Sequence, residues 1–342
     1  MKRHKAVQAI LLGVMVGGLT ISGVAQAWGQ AGHQTVGAIA EVLLQGTTAD
    51  AKVHSLLGME KLRTTALWAD CAKGVNDTTL KFTLTTHYPE CDPFQQTAAG
   101  RQAMVNYVRR NLRACQPKAD EEVCHKQYHY ADVAIERDNY ATSDVGTSDH
   151  DIVHAISAAI AKLKGDSVPA PFSFSTKKEA LRLLVHWVGD IHQPLHVGAV
   201  YLNAAGQVVD PDAEGLDPAM KTHGGNLIFD GSAKLHGEWD AIPVSLDLAH
   251  FKVGGAADAQ RVPVTAGPVE SWPAAWATET VVASHAAYQG LSYQAEQGAG
   301  TAHPKWPVTE PAGYAVARAA LQKEQLVKAG ARLAPVLEAV WL

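Results

Sequence analysis

The sequence predicts a single, mainly helical domain carrying one small β-hairpin. Three observations carry that prediction: long stretches place apolar residues at helical spacing, strand signals are few, and neither a solenoid-type repeat nor a linker divides the chain into two cores. The 342 residues are 47% hydrophobic, 18% charged and 7% aromatic, with a mean hydropathy of -0.07. Such composition suits one or two globular domains and excludes collagen-like or disordered chains. No apolar run reaches the ~18 to 20 residues of a spanning helix, which excludes a multi-span membrane protein.

The first element is not part of that fold. Lys2, Arg3 and Lys5 precede an apolar stretch from Ile10 to Val24, and Ala25-Gln26-Ala27 forms an A-x-A cleavage site. Residues 1–27 therefore read as a secretory signal peptide, with the folded domain expected over 28–342. An uncleaved anchor is the weaker reading, because Gly17, Gly18, Thr20 and Ser22 interrupt a short apolar segment. Three cationic residues and no acid leave with the leader, so a formal charge of -5 becomes -8.

Helices are expected over Gly32–Leu44, Met104–Cys115, Asp151–Lys164, Thr176–Ile191, Trp272–Tyr288 and Tyr314–Val340, each rich in Ala, Leu, Glu or Lys at helical spacing. Ser148 and Asp149 ahead of Asp151, and Ser175-Thr176 ahead of Glu179, supply helix-start chemistry. The best strand signal pairs Val200–Leu202 with Asn226–Phe229 across a Gly/Pro/Asp-rich stretch, as a hairpin with a long loop. Cys71, Cys91, Cys115 and Cys124 all fall between 71 and 124. In an exported chain they are expected to form two local bridges. Three pairings are open to spacing, of which Cys71 to Cys91 with Cys115 to Cys124 is preferred. A cysteine-built zinc site competes weakly, since no C-x-x-C is present.

Sixteen histidines and the acidic balance need a joint explanation. Many histidines point to metal or proton chemistry, while the net negative charge argues against a broad basic platform for nucleic acid. The densest cluster is His186-Trp187-Val188-Gly189-Asp190-Ile191-His192-Gln193-Pro194-Leu195-His196. His186 and Asp190 stand four apart, about 40° from each other around a helix, so one face offers both to a metal. Pro194 then ends or kinks the helix and swings His196 towards a neighbouring position. The same spacing returns at His236 and Asp240. One H-x-x-x-D is more often a solvated or core-satisfied histidine; two of them plus His196 in an exported chain favour metal ligation.

The run H-W-x-G-D-I-H-Q-P-L-H, the Gly224-Gly225-Asn226 turn, the later L-H-x-x-W-D, Trp68-Ala69-Asp70 and a W-G-x-x-G-H start at Trp28 resemble the secreted, zinc-dependent single-strand nucleases that include mung bean nuclease. The motifs run in that family's order from Trp28 to Asp240. The resemblance implies a mostly helical fold of the phospholipase C/single-strand nuclease type, holding three zinc ions. The free amine and carbonyl of Trp28 would bind one zinc with His33. Asp190 would bridge it to a second, completed by Asp70, His129 and His186. His196, His236 and Asp240 would hold the third. Until cleavage the nitrogen of Trp28 is an amide and is no amine ligand.

His129-Tyr130-Ala131-Asp132 carries the family's histidine-aromatic-x-acid pattern but lies 59 residues beyond Asp70. His87-Tyr88 is better spaced and lacks the acid, so His129 is preferred and residues 71–125 are expected to contain a cysteine-stapled insertion. Lys73 stands where the family has an arginine against transition-state charge; lysine supplies the charge without the bidentate fork, and a solvated surface role competes. Tyr130 offers a ring for stacking and Asp132 a carboxylate for a base edge. Asn226 is expected to shape the site or simply to close its turn.

Zinc lowers the pKa of bound water, so hydroxide is available near neutral pH, and two or three metals hold attacking and leaving oxygens in line. No serine or cysteine nucleophile is needed. The expected activity is hydrolysis of single-stranded DNA and RNA to 5′-phosphates by a secreted or periplasmic monomer with no stable protein partner, with Asp70, Lys73 and Asp190 as the catalytic set. A 3′-nucleotidase activity often accompanies it in the family. Zinc-dependent phospholipase C is the nearest rival, but its W-S start and glutamate as last ligand differ from Trp28-Gly29 and Asp240. A catalytically silent periplasmic zinc-binding protein is the rival from another class.

Overall fold

The computed structural model describes residues 28–83, 88–118, 121–301 and 304–341. The expected signal peptide and His87 lie outside the described residues. The domain is mainly helical, as its periodicity predicts.

The helix Lys177–Asp190 is central. Thr176 caps it by accepting from the Glu179 amide, and the Glu179 carboxylate reaches back to the Ser175 amide. Leu181, Leu184, Val185 and Val188 are fully buried along it, and it packs on the helix Ile152–Lys164. Asp151 caps that neighbour through the amides of Val153 and His154, and Gly165 ends it in the left-handed region at φ 100°. The helix Tyr314–Val340 lies against Gln30–Leu44, with Leu248–Ala259 packed on both. Periodicity did not reveal Leu248–Ala259, because Gly254, Gly255 and neighbouring alanines give it no distinct apolar stripe.

Two expectations are corrected. The helix expected over Met104–Cys115 runs Ala98–Arg110: Thr97 starts it by accepting from the Gly100 amide, and the chain turns at Asn111. The long-loop hairpin does not form. Ile228–Asp230 pairs antiparallel with Ala233–Lys234 across a turn containing Gly231 at φ 56°, and parallel with Trp306–Thr309. A local turn closes at less entropic cost than a loop of more than twenty residues. Tyr201 and Leu202 instead bridge Lys221 and Val208. Ser292–Tyr293 completes a four-stranded sheet on the far edge of Trp306–Thr309.

The cysteines pair as preferred, Cys71 with Cys91 and Cys115 with Cys124. The stretch they staple is integral to the core, to which it contributes Phe94, Met104, Tyr107 and Val108. The short helix Trp68–Ala72 leans on both Ala98–Arg110 and the central helix, which fixes where Asp70 points.

Candidate metal centre

His186 and Asp190 occupy the last turn of the central helix, both fully buried. A carboxylate at a helix C-terminus meets the negative end of the dipole, so Asp190 needs cations around it. Its two oxygens face different partners. Oδ1 lies 3.2 Å from His33 Nε2, while Oδ2 lies 2.9 Å from His129 Nδ1 and 3.1 Å from His186 Nε2. The carboxylate thus touches His33 on one side and His129 and His186 on the other.

The side chains converge in three buried groups whose ligand atoms lie within 4.8 Å of one another: His33, His186 and Asp190; Asp70, His129 and His186; and His196, His236 and Asp240. Each element brings its own residue. His33 comes from the Gln30–Leu44 helix and sits against Gly189, where an added Cβ would stand 2.8 Å from His33 Nδ1. After the central helix, Pro194 starts a 3-10 turn that delivers His196, as the proline predicts. His236 and Asp240 share the helix Leu235–Asp240, with His236 Nε2 3.4 Å from Asp240 Oδ2.

Backbone carbonyls aim three of these rings. His186 Nδ1 donates to Ala66 O at 2.6 Å, His196 Nδ1 to His129 O at 2.8 Å and His236 Nδ1 to Gly224 O at 2.7 Å. Each bond turns the lone pair of Nε2 inward, the outer-shell arrangement of ligating imidazoles. The last of these carbonyls belongs to a strained turn, with His223, Gly224 and Gly225 all at positive φ. An added Cβ at Gly224 would come within 2.4 Å of Leu195 O.

The donor set fits a metal. Among the described residues, His33 Nδ1 and His196 Nε2 are buried without a hydrogen bond, and His33 Nε2 and Asp190 Oδ1 have only each other, 3.2 Å apart. Each such orphan costs about 1–3 kcal/mol unless an ion takes it. Three buried carboxylates are met by one ammonium, Lys73, whose Nζ lies 2.8 Å from Asp70 Oδ1. Burial alone would raise Asp70, but Lys73, His186, His33 and His129 together hold it down at about 2. Burial and then Lys73 hold His129 down at about 3, and burial and then His196 do the same to His236. Both imidazoles are therefore neutral and free to ligate. Burial, followed by Asp70 and Asp190, pushes Asp240 well above the usual carboxylate range despite its hydrogen bond from Gln193. A cation in the third group would relieve that repulsion.

Trp28 lies beside the first group: it is fully buried, its indole donates to Gly189 O at 2.8 Å, and the Gly29 amide donates to Asp240 O at 2.9 Å. Next to the metal-ligand groups, a cavity of about 380 Å³ is lined by Lys73, Tyr130, Asp132 and Asn226, together with His129, His196 and His236. Tyr130 and Asp132 are partly buried, and burial raises the Asp132 carboxyl above its ordinary value against the opposing charges of His223 and Lys221. Asn226 Nδ2 donates to His223 O, closing the turn.

A family model described as S1/P1 Nuclease matches residues 114–341. The chain belongs to this nuclease family. No curated protein matches it. As an S1/P1 nuclease it is a metal-dependent hydrolase of phosphodiester bonds, with nucleic acid as its substrate. The matched span contains His129 and every ligand candidate C-terminal to it, while Trp28, His33, Asp70 and Lys73 reach the same centre from outside it.

Sequence reasoning missed several groups around this nuclease's centre. Lys126, Glu122, His223 and Lys234 line the cavity. None has a motif; His223 was visible only as the neighbour of Gly-Gly-Asn, and its left-handed backbone leaves no trace in the sequence. Gln193 was quoted in the histidine motif without a role. It is fully buried, donates to Asp240 Oδ1 at 2.9 Å, and accepts from the Leu195 amide at 2.6 Å.

Proposed function

We propose that the protein is a secreted, three-zinc endonuclease that hydrolyses single-stranded DNA and RNA to 5′-phosphate products and also acts on 3′-nucleotides. The observation that carries this reading is that two of the three buried His/Asp groups, through His129, His196 and His236, border one cavity that also holds an aromatic ring and a carboxylate. Two disulfides, and the absence of any membrane-spanning helix among the described residues, are compatible with export.

Trp28, His33, Asp70, His129, His186, Asp190, His196, His236 and Asp240 would hold the ions. Bound zinc would supply Lewis acidity and a lowered pKa for coordinated water. The residues do the rest. Lys73 stays charged, because Asp70 and Asp190 overcome the effect of its burial, and so meets the negative charge that grows on the phosphoryl oxygens. Tyr130 stacks on an unpaired base and Asp132 addresses its edge. Stacking is worth roughly 1–3 kcal/mol per base and tolerates every base, so single strands are favoured with little sequence selectivity. Asn226 holds the turn that orients His236 through Gly224.

Metal analysis of the processed protein, together with rates on denatured and duplex DNA, tests the reading. About three zinc per chain and faster cleavage of denatured DNA are expected. Bound zinc with no turnover of DNA or RNA would overturn it. A form retaining one residue before Trp28 is expected to lose one zinc and most activity.

A further inference from the structure

A second cavity, of about 300 Å³, adjoins the Tyr130 cavity and shares two walls with it, Lys73 and Lys126. Asp70 also lines it, so the metal-ligand groups border both spaces. A phosphodiester has a nucleoside on each side. If its phosphorus is held at Asp70 and Lys73, one seat cannot take both nucleosides, and the shared lysines mark where the strand passes from one seat to the other.

The second cavity has the chemistry of a nucleoside seat. Phe82 is half-buried and lies over Gly74, the residue after Lys73; a Cβ added at Gly74 would come within 3.2 Å of the ring. The ring is carried on a short tight turn, in which Val75 bridges Phe82 and the Asn76 amide donates to Lys81 O at 2.8 Å. Asn76 and Gln95 put amide groups on the same walls. Lys126 is fixed at the junction: its ammonium donates to Asp77 Oδ2 at 2.6 Å, and the other oxygen of Asp77 lies 3.2 Å from His125 Nε2. An ammonium held between two cavities is placed to meet a phosphate as a point charge.

We propose that this second cavity seats the nucleoside across the scissile phosphate from the one held at Tyr130, with Phe82 as its stacking face and Lys126 at the phosphate between the two. The proposal rests on the phosphodiesterase reading above. The reaction it serves is a plain hydrolysis. Water's oxygen bonds to phosphorus, the P–O3′ bond breaks, O3′ leaves with a proton, and the phosphate stays on the 5′ carbon of the other nucleoside. The seat makes this nuclease a strand cutter first, because only a substrate with two nucleosides fills both cavities.

The test uses the full chain expressed with its own N-terminal segment and loaded with zinc. A dinucleoside monophosphate is compared with two analogues in which a methyl group replaces one nucleoside or the other. The readout is kcat/KM for the dinucleoside divided by that for the better analogue. The ratio is expected to exceed ten in the parent, to fall about tenfold in Phe82→Ala, and to be largely kept in Phe82→Trp, as loss and retention of one stacking face require. Because it is a ratio, partial misfolding of a variant cancels. Cleavage of all three esters with a ratio indifferent to Phe82 would overturn the second seat and leave the phosphodiesterase reading intact. Cleavage of none of them would overturn both.

Discussion

Two histidines four residues apart on the same stretch of chain, His192 and His196, are nearly equally buried and meet opposite fates. His192 donates from Nδ1 to Val188 O at 2.7 Å and accepts at Nε2 from Arg332 at 2.9 Å, while Arg332 grips Glu279 with both carboxylate oxygens within 2.7 Å. Both of its nitrogens are occupied, and it ties the Tyr314–Val340 helix to the end of the central one. His196 also gives Nδ1 to a carbonyl, but its Nε2 is buried and unpartnered among the other imidazoles and carboxylates. Burial therefore does not separate a structural histidine from a ligand. At this pair the unanswered second nitrogen of His196 does, because leaving it dry is costly unless an ion takes it.

The sharpest way to break this contrast is to remove a group from each side. Asp190→Ala takes away the carboxylate that faces His33 with one oxygen and His129 with the other. Its expected effect is the loss of about two of three zinc ions by metal analysis, with activity on denatured DNA falling at least a thousandfold, the scale on which removing a central catalytic group acts. Full zinc retention would refute its bridging of two ions. His192→Ala should do the reverse. It leaves Arg332 short of a partner and opens a void beside Trp276, so stability falls by roughly 2–4 kcal/mol in denaturant melts while zinc content is kept. Loss of metal from that variant would mean the two histidines belong to one system.

A smaller effect tests the boundary between the regions. Gln193 lies between His192 and His196 and holds Asp240, a proposed ligand, without being one itself, so Gln193→Leu is expected to weaken one zinc by about 10–100-fold and leave the others in place. Competition with a chelator, read as stepwise metal release, distinguishes this from general unfolding. Simultaneous loss of all three ions would assign Gln193 to the fold instead.

How far the sequence foretold the site follows from the same physics. His186 with Asp190 and His236 with Asp240 were legible because helical geometry turns a spacing of four into one face. The Pro194 break was legible for the same local reason. His33 and Asp70 had no such local logic; they meet the others only through the packing of the Gln30–Leu44 and Trp68–Ala72 helices, and were reached through family resemblance. His129 is brought into the cluster across a wide gap in sequence from Asp70, which spacing alone made doubtful. The mispaired hairpin failed because a turn at Gly231 closes locally, and Lys126 and Phe82 were invisible because nothing in sequence says which walls a cavity will have.

The smallest expected effect is a pH dependence carried by His192. Burial, then the charge of Arg332, holds its pKa well below the ordinary 6.5. The folded protein therefore refuses a proton that the unfolded chain accepts below that value. Stability from this group is complete above about pH 6.5 and falls as the solution is acidified, by at most about 1.4 kcal/mol for each pH unit. The ligand histidines would behave similarly in metal-free protein, so the measurement is made with zinc saturating both forms. Between pH 7 and 5 the melting midpoint of His192→Gln is expected to fall less steeply than that of the parent, since an amide keeps hydrogen bonding without titrating. Equal slopes would place the acid sensitivity in other groups, among them His125, which burial also holds below its ordinary value, and the distinction between a satisfied and an ion-satisfied histidine would lose its thermodynamic signature.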